Sequence, residues 1–246
     1  MHREVNLEKR EAIPGIGYYP QEPISTGTTL IAVQFPGGVV VGTDARTSTG
    51  SFVASRVTDK ITPITDHLVV CRSGSAADTQ AIADIAKYHI EFFSTMEDEQ
   101  VSIYRSSQIF RKYLYDYREQ LSASMIVAGW DAHEGGQIYT IPLGGFVSRQ
   151  RFTASGSGST FVTGFLDRAW RKDMTLEEVK QLVMNAVALA MFRDGSSGGV
   201  IRLAIIDENG TQRELYRPDT NTQFPMFETP TPYQFFPKHI EQHPVE

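Results

Sequence analysis

The chain has 246 residues, 41% of them hydrophobic and 21% charged, and a formal net charge of −6. That is enough chain for one sizeable core or two small ones, with the composition of an ordinary globular protein. The acidic balance argues against a nucleic-acid binder, no apolar run approaches a membrane span, and the single cysteine excludes an internal disulfide and fits a reducing compartment.

Residues 1–27 read as an irregular leader, with Pro14, Pro20, Pro23 and scattered charges but no apolar stretch of the secretory kind. From 28 to 217 strand and helix signals alternate without a linker, which predicts one domain. Thr28–Phe35 and Val39–Asp44 are strand-like runs joined by Pro36-Gly37-Gly38, a hairpin signal. Ile61–Ile64 and His67–Arg72 form a second pair, and Cys71, after Leu68-Val69-Val70, fits an inert core position. A helix is predicted from near Ser75, with Ala77, Ala81, Ile85, Tyr88 and Phe92 on one face at three- and four-residue steps. Phe110, Tyr113, Leu114, Tyr117 and Leu121 write a second helix. Met125–Trp130 and Gln137–Ile141 return to strands, and 160–170 is weakly helical. The clearest helix starts at the capping box Thr175-Leu176-Glu177-Glu178 and runs through Ala190. Val200–Ile206 and Arg213–Tyr216 flank Asn209-Gly210, a type I′ hairpin signal. Residues 218–246 hold six of the 12 prolines with five aromatics between them. That tail is either partly disordered or extended across a partner surface, and its aromatics favour the second. Hairpins joined by helical pairs argue α+β, and two apolar sheets covered by helix pairs would give a four-layer sandwich.

Gly27-Thr28-Thr29 stands where the polar leader gives way to Leu30-Ile31-Ala32-Val33. On its own the threonine pair fits the opening of an edge strand. It also fits a nucleophile: a threonine freed at its own nitrogen carries its base on the same residue. The α-amino group has a reference pKa of about 7.7–8.0, so much of it is neutral near physiological pH. Asp44 ends the second strand and Lys60 precedes the third, so the two could pair and hold an ammonium near the Thr28 oxygen, or form an exposed ion pair of little consequence. Gly74, in Arg72-Ser73-Gly74-Ser75, lies at a strand-to-helix junction where its N–H could serve an oxyanion, or the glycine could serve only the turn. Ser155-Gly156-Ser157-Gly158-Ser159 and Asp194-Gly195-Ser196-Ser197-Gly198-Gly199 are not phosphate loops and read as sharp turns that place a hydroxyl or carboxylate beside a site. The six histidines lack metal-ligand spacing, and no serine-hydrolase elbow occurs.

Together the Gly27 step, Gly42-Thr43-Asp44-Ala45-Arg46-Thr47, Arg56-Val57-Thr58-Asp59-Lys60-Ile61, the run from Cys71 to Gln80, Gly156-Ser157-Gly158-Ser159 and Arg193-Asp194-Gly195-Ser196-Ser197-Gly198-Gly199 resemble a β-type subunit of the eukaryotic 20S proteasome. The set is most similar to the active class with caspase-like, post-acidic specificity. The resemblance covers about residues 28–217 and implies an N-terminal-nucleophile hydrolase fold with α/β/β/α layers and threonine endopeptidase activity. It implies Thr28 as nucleophile, Asp44 and Lys60 as its charged pair, Gly74 as oxyanion donor, and Ser157, Asp194 and Ser197 as supporting groups. Residues 1–27 would be a propeptide cut between Gly27 and Thr28. Arg72 would form the base of a pocket for an acidic residue, lined by Thr47, Thr58, Ala76 and Gln80, although an ion pair with Asp78 or Asp59 would also suit it. No metal or organic cofactor is implied. The partners implied are other α and β subunits in a four-ring, 28-subunit barrel and unfolded polypeptide substrates, in cytoplasm and nucleus. A non-catalytic ring subunit and a stand-alone amidase of the same fold are the competing expectations.

Overall fold

The computed structural model describes residues 27–49, 52–219 and 225. The leader before Gly27 and nearly all of the tail lie outside the described residues, so the expectations for them are not addressed by the structure.

Among the described residues, ten of twelve strands form two five-stranded sheets, the other two form a small separate ribbon, and four α-helices make two outer layers. β1 (Leu30–Phe35) and β2 (Gly38–Thr43) make the first hairpin, with Phe35 opposite Gly38 across Pro36-Gly37. Two short strands, β3 (Thr47–Thr49) and β4 (Phe52–Ser55), pair only with each other. β5 (Ile61–Thr65) and β6 (Leu68–Gly74) are followed by α1 (Ala76–Glu97) and α2 (Ile103–Asp116). β7 (Ala123–Asp131), β8 (Gly135–Ile141), β9 (Ser148–Gln150) and β10 (Phe152–Ser155) come next. A 3₁₀ turn (Ser157–Phe161) leads to α3 (Thr163–Ala169) and α4 (Leu176–Arg193). β11 (Ile201–Asp207) and β12 (Gly210–Tyr216) close the domain.

One sheet has the order β10-β1-β2-β11-β12 and the other β5-β6-β7-β8-β9. The alternation of side chains across each strand divides the buried residues into three layers. Leu30, Ala32, Val39, Val41, Cys71 and Ile126 fill the gap between the sheets. Ile31, Val33 and Val40 face α4, where Val183, Ala186 and Val187 meet them. Val70, Met125 and Val127 face α1 and α2, against Ile82, Ile90 and Phe110. The result is the α/β/β/α sandwich expected from the strand and helix order. Cys71 is fully buried, and burial pushes its thiol up to about 12, which leaves it a packing residue.

Three expectations need correction. The pattern through Tyr117 and Leu121 overshoots the second helix: α2 ends at Asp116, Tyr117 is its C-cap and Leu121 lies beyond it. Ala77, Ala81, Ile85, Tyr88 and Phe92 do share a face of α1, but it points outward: Tyr88 is 67% exposed. The buried face is Thr79, Ile82, Ala83, Ala86 and Ile90, so α1 carries apolar residues on two faces and periodicity alone cannot rank them. The Asn209-Gly210 turn is not type I′, because that type needs positive φ at both central residues and Asn209 does not have it. Asp207 pairs with Gly210 instead, Glu208-Asn209 span the corner, and the left-handed step falls on Gly210 at φ 105°. Asp207 Oδ1 accepts the Asn209 N–H at 2.8 Å and fixes that corner. The capping box at Thr175 and Glu178 forms as expected.

The two faces of α1 give a direct comparison. In urea unfolding of the full chain, Ile90→Ala is expected to cost about 2–5 kcal/mol. Tyr88→Ala should cost less than about 0.5 kcal/mol. The reverse order would contradict the assignment of the inner face.

Candidate active site

The pairing of Leu30 with Thr43 sets the Thr28-Thr29 step alongside Asp44. Thr29 N–H donates to Asp44 Oδ1 at 2.9 Å, and the Asp44 amide donates back to the Thr29 carbonyl at 3.3 Å. Lys60 arrives from the residue before β5. Its Nζ donates to Asp44 Oδ1 at 2.7 Å and to the Gly27 carbonyl oxygen at 3.0 Å. The other Asp44 oxygen takes the Arg46 and Gly198 amides at 3.1 and 3.0 Å. A carboxylate with no exposed surface thus has four donors, which is what a buried charge requires. Burial pushes the Lys60 ammonium below its ordinary value of 10.5, with Asp44 and then Asp194 opposing the shift.

A second polar cluster closes the other side. Asp194 caps the C-terminal end of α4, and its Oδ2 accepts the hydroxyls of Ser157 and Ser197, each at 2.7 Å. Its Oδ1 accepts the Ser196 amide at 3.0 Å. Burial works to raise this carboxyl, but the hydrogen bonds from Ser197, Ser196 and Ser157, with Lys60 nearby, hold it below 3.8. Ser157 has one proton and gives it to Asp194, so its lone pair receives the Thr28 N–H at 3.1 Å. The Gly158 amide donates to the Thr28 carbonyl at 3.2 Å. Gly156, at φ 84°, lets this loop lie against Thr28, since a Cβ there would overlap the Thr28 carbonyl oxygen. Gly27 is equally constrained: any side chain would overlap Ser196.

Arg72 sits on β6 with its amide bonded to the Lys60 carbonyl at 3.1 Å. Its Nε donates to Thr62 Oγ1 at 2.8 Å and its Nη1 to Thr79 Oγ1 at 3.2 Å. Asp59 pairs with Arg213 and Asp78 accepts the Ser122 amide, and Arg72 has no ion pair among the described residues. The two carboxylates that could have claimed it are otherwise engaged. Thr47 and Thr58 share a 2.8 Å hydroxyl bond, while Ala76 and Gln80 are exposed on the first turns of α1. Gly74 ends β6 and lines a cleft together with Ser157. Among the described residues no group of three or more His, Cys, Asp or Glu is arranged to hold a metal.

A family model described as "Proteasome subunit" matches residues 24–206. The chain belongs to the proteasome subunit family. It is 47% identical over 192 residues to the proteasome subunit beta type-6 of Dictyostelium discoideum, covering 78% of this chain and 90% of that one. It is 44% identical over 200 residues to the proteasome subunit beta type-1 of Saccharomyces cerevisiae, covering 81% and 93%. It is 45% identical over 215 residues to the proteasome subunit beta type-9 of Mus musculus bactrianus, covering 87% and 98%. These relatives make it a β-type proteasome subunit, and its α/β/β/α layers are those of the N-terminal-nucleophile hydrolase sandwich.

In this proteasome subunit, hydrogen bonds running through Thr29 join Thr28, Asp44, Lys60, Ser157, Asp194 and Ser197 into one network, and Gly74 lines the same cleft as Ser157. Sequence reasoning missed Thr29. Its hydroxyl lies 2.7 Å from that of Ser197, and because the Ser197 proton goes to Asp194, Thr29 is the donor. Residue 29 therefore reaches one acid through its amide and the other through a hydroxyl. The threonine doublet itself was the available signal. The amides of Arg46 and Gly198 were also missed, because backbone donors leave no mark in a sequence.

The two members of the charged pair are expected to differ in their effect on stability. Asp44→Ala strands Lys60 in a buried site and should cost about 3–5 kcal/mol. Lys60→Met leaves Asp44 with three amide donors and should cost about 1–3 kcal/mol. Denaturant unfolding of both variants measures the difference, and equal costs would contradict the account of Asp44 as the better solvated partner.

Proposed function

We propose that this chain is a catalytic β subunit of the 20S core, a threonine endopeptidase that cleaves after acidic residues. The observation that carries the reading is Lys60 Nζ, held by Asp44 and bonded to the carbonyl of Gly27, the residue directly before Thr28. A buried ammonium on that oxygen polarises the one peptide bond whose cleavage would give Thr28 a free amine. Thr28 Oγ attacks the Gly27 carbonyl carbon, the C–N bond breaks, and the acyl group passes to oxygen as an ester. The Thr28 nitrogen leaves as an amine. Water hydrolyses the ester and releases residues 1–27 as a propeptide.

The intact Thr28 amide donates to Ser157 and cannot act as a base. Once freed, the same nitrogen accepts the hydroxyl proton while Thr28 Oγ attacks a substrate carbonyl. The resulting ammonium faces Ser157, which is backed by the Asp194 carboxylate. Gly74 N–H takes the oxyanion, the leaving amine collects the proton, and water hydrolyses the acyl-enzyme ester on Thr28. No metal or organic cofactor enters these steps.

Arg72 supports the preference for acidic residues. Its guanidinium is half-buried and makes no salt bridge among the described residues, with Thr62 and Thr79 fixing two of its nitrogens and the Asp84 and Asp59 charges acting only at a distance. Burial lowers its pKa, an indication that an incoming carboxylate would be welcome there. In this reading Thr47, Thr58, Ala76 and Gln80 would form the remaining walls of the pocket, as the family resemblance implies. A non-catalytic ring subunit would have no use for a glycine packed against Ser196 or a lysine on the Gly27 carbonyl.

Membership of the family implies assembly with other proteasome subunits in a ring complex. We place that complex in cytoplasm and nucleus, acting on unfolded polypeptides. The exposed Ile85, Tyr88, Phe92 and Met96 of α1 are an apolar stripe of the kind that assembly covers.

Hydrolysis of fluorogenic peptides by assembled complexes tests the reading. Wild type is expected to favour an acidic residue before the scissile bond, Thr28→Ala to abolish that activity, and Arg72→Met to exchange it for cleavage after apolar residues. Post-acidic activity that survives Thr28→Ala, or a preference unmoved by Arg72→Met, would refute it.

A further inference from the structure

The strand that carries Arg72 has a second face at the same end. Side chains on β6 alternate: Val70 belongs to the core beneath α1 and α2, and Cys71 to the core between the sheets. Arg72 accordingly reaches Thr79 of α1, and Ser73 turns toward the opening between the sheets. There Ser73 stands opposite Ser124 of β7, and Ser124 Oγ lies 3.4 Å from Ser155 Oγ on the other sheet. These three serines and Ser122 line a cleft of about 430 Å³ that ends at Gly74 and Ser157, with Pro142 and Leu143 at its rim.

The cleft has an unusual lining. Among the described residues no charged side chain lines it. The hydroxyls of Ser73 and Ser122 bond to none of the described residues, and the Ser124–Ser155 contact is long. Each hydroxyl can donate one hydrogen bond and accept others, so the wall suits a side chain that does both. An aliphatic side chain would have to displace water from these groups without replacing its hydrogen bonds.

We propose that this cleft is the subsite for the residue that follows the scissile bond, and that it selects a short hydroxyl or amide side chain. The proposal rests on the proteolytic reading above. A peptide whose carbonyl lies at Gly74, with its acidic side chain on the Arg72 face of β6, carries its leaving half past the opposite face. Ser157 at the cleft wall hydrogen-bonds the Thr28 nitrogen, so the leaving amine departs beside the group that holds the returning proton. Selection then acts on the acylation step alone, because the second half of the substrate has gone before the ester is hydrolysed.

Internally quenched peptides with one acidic residue before the bond and Ser, Asn or Leu after it test this on the assembled complex. An aminocoumarin amide of the same acyl segment reports proteolysis as such. Wild type is expected to favour Ser and Asn over Leu by about three- to tenfold in kcat/KM, the range of one or two hydrogen bonds. The double variant S122A/S124A should level that preference while still hydrolysing the coumarin substrate. Equal rates for Ser and Leu in wild type, or a preference that survives the double variant, would overturn the subsite. Failure of wild type to hydrolyse the coumarin substrate would overturn the proteolytic reading, and the subsite with it.

Discussion

The site depends on keeping one ionised carboxylate, Asp44, in a place that water does not reach. Its four donors come from four stretches of chain: the amides of Thr29, Arg46 and Gly198, and the ammonium of Lys60. Each of those stretches is brought in by a different pairing or turn, so the carboxylate works as a register pin for the edge of the domain. A buried ion pair is a poor source of net stability, since desolvation consumes most of the Coulombic gain. What Asp44 supplies is position. It holds the Lys60 ammonium on the Gly27 carbonyl.

The second acid, Asp194, is organised differently. Among the described residues it makes no salt bridge, Lys60 acting only at a distance, and it is solvated by two hydroxyls and one amide. Both hydroxyls pass their proton inward and turn a lone pair toward the Thr28-Thr29 step. The two carboxylates therefore flank the step from opposite sides, one through backbone donors and a cation, the other through serine relays. Close approach of the 156–158 loop depends on glycine, so conformational freedom and chemistry are bound together at this point.

Much of this was legible in the sequence, and the exceptions have physical causes. The β1–β2 hairpin and the Thr175 capping box follow from local chemistry and period, so they were readable directly. The site residues were legible by type and, through the family resemblance, by position, while Lys60 reaching the Gly27 carbonyl was not, because no spacing rule reports where a side chain 33 residues away will end. The outward face of α1 misled for a different reason. Its stripe has a valid helical period, and only the sheet beneath decides which of two apolar faces is buried. The turn at Asn209-Gly210 slipped by one residue because Asp207 forms its own side-chain turn with the Asn209 amide. Short strands such as β3, β4 and β9 are held by their neighbours and carry little signal of their own.

In the proposed reading the Lys60 ammonium, held by Asp44 on the Gly27 carbonyl, is what polarises the Gly27–Thr28 bond. Lys60→Met removes that charge while leaving Asp44 its three amide donors. The most direct measurement is the rate at which an N-terminal Thr28 appears in freshly assembled Lys60→Met complexes, followed by intact mass. The account requires that rate to fall by several orders of magnitude while assembly proceeds. Release of Thr28 at the wild-type rate would contradict it.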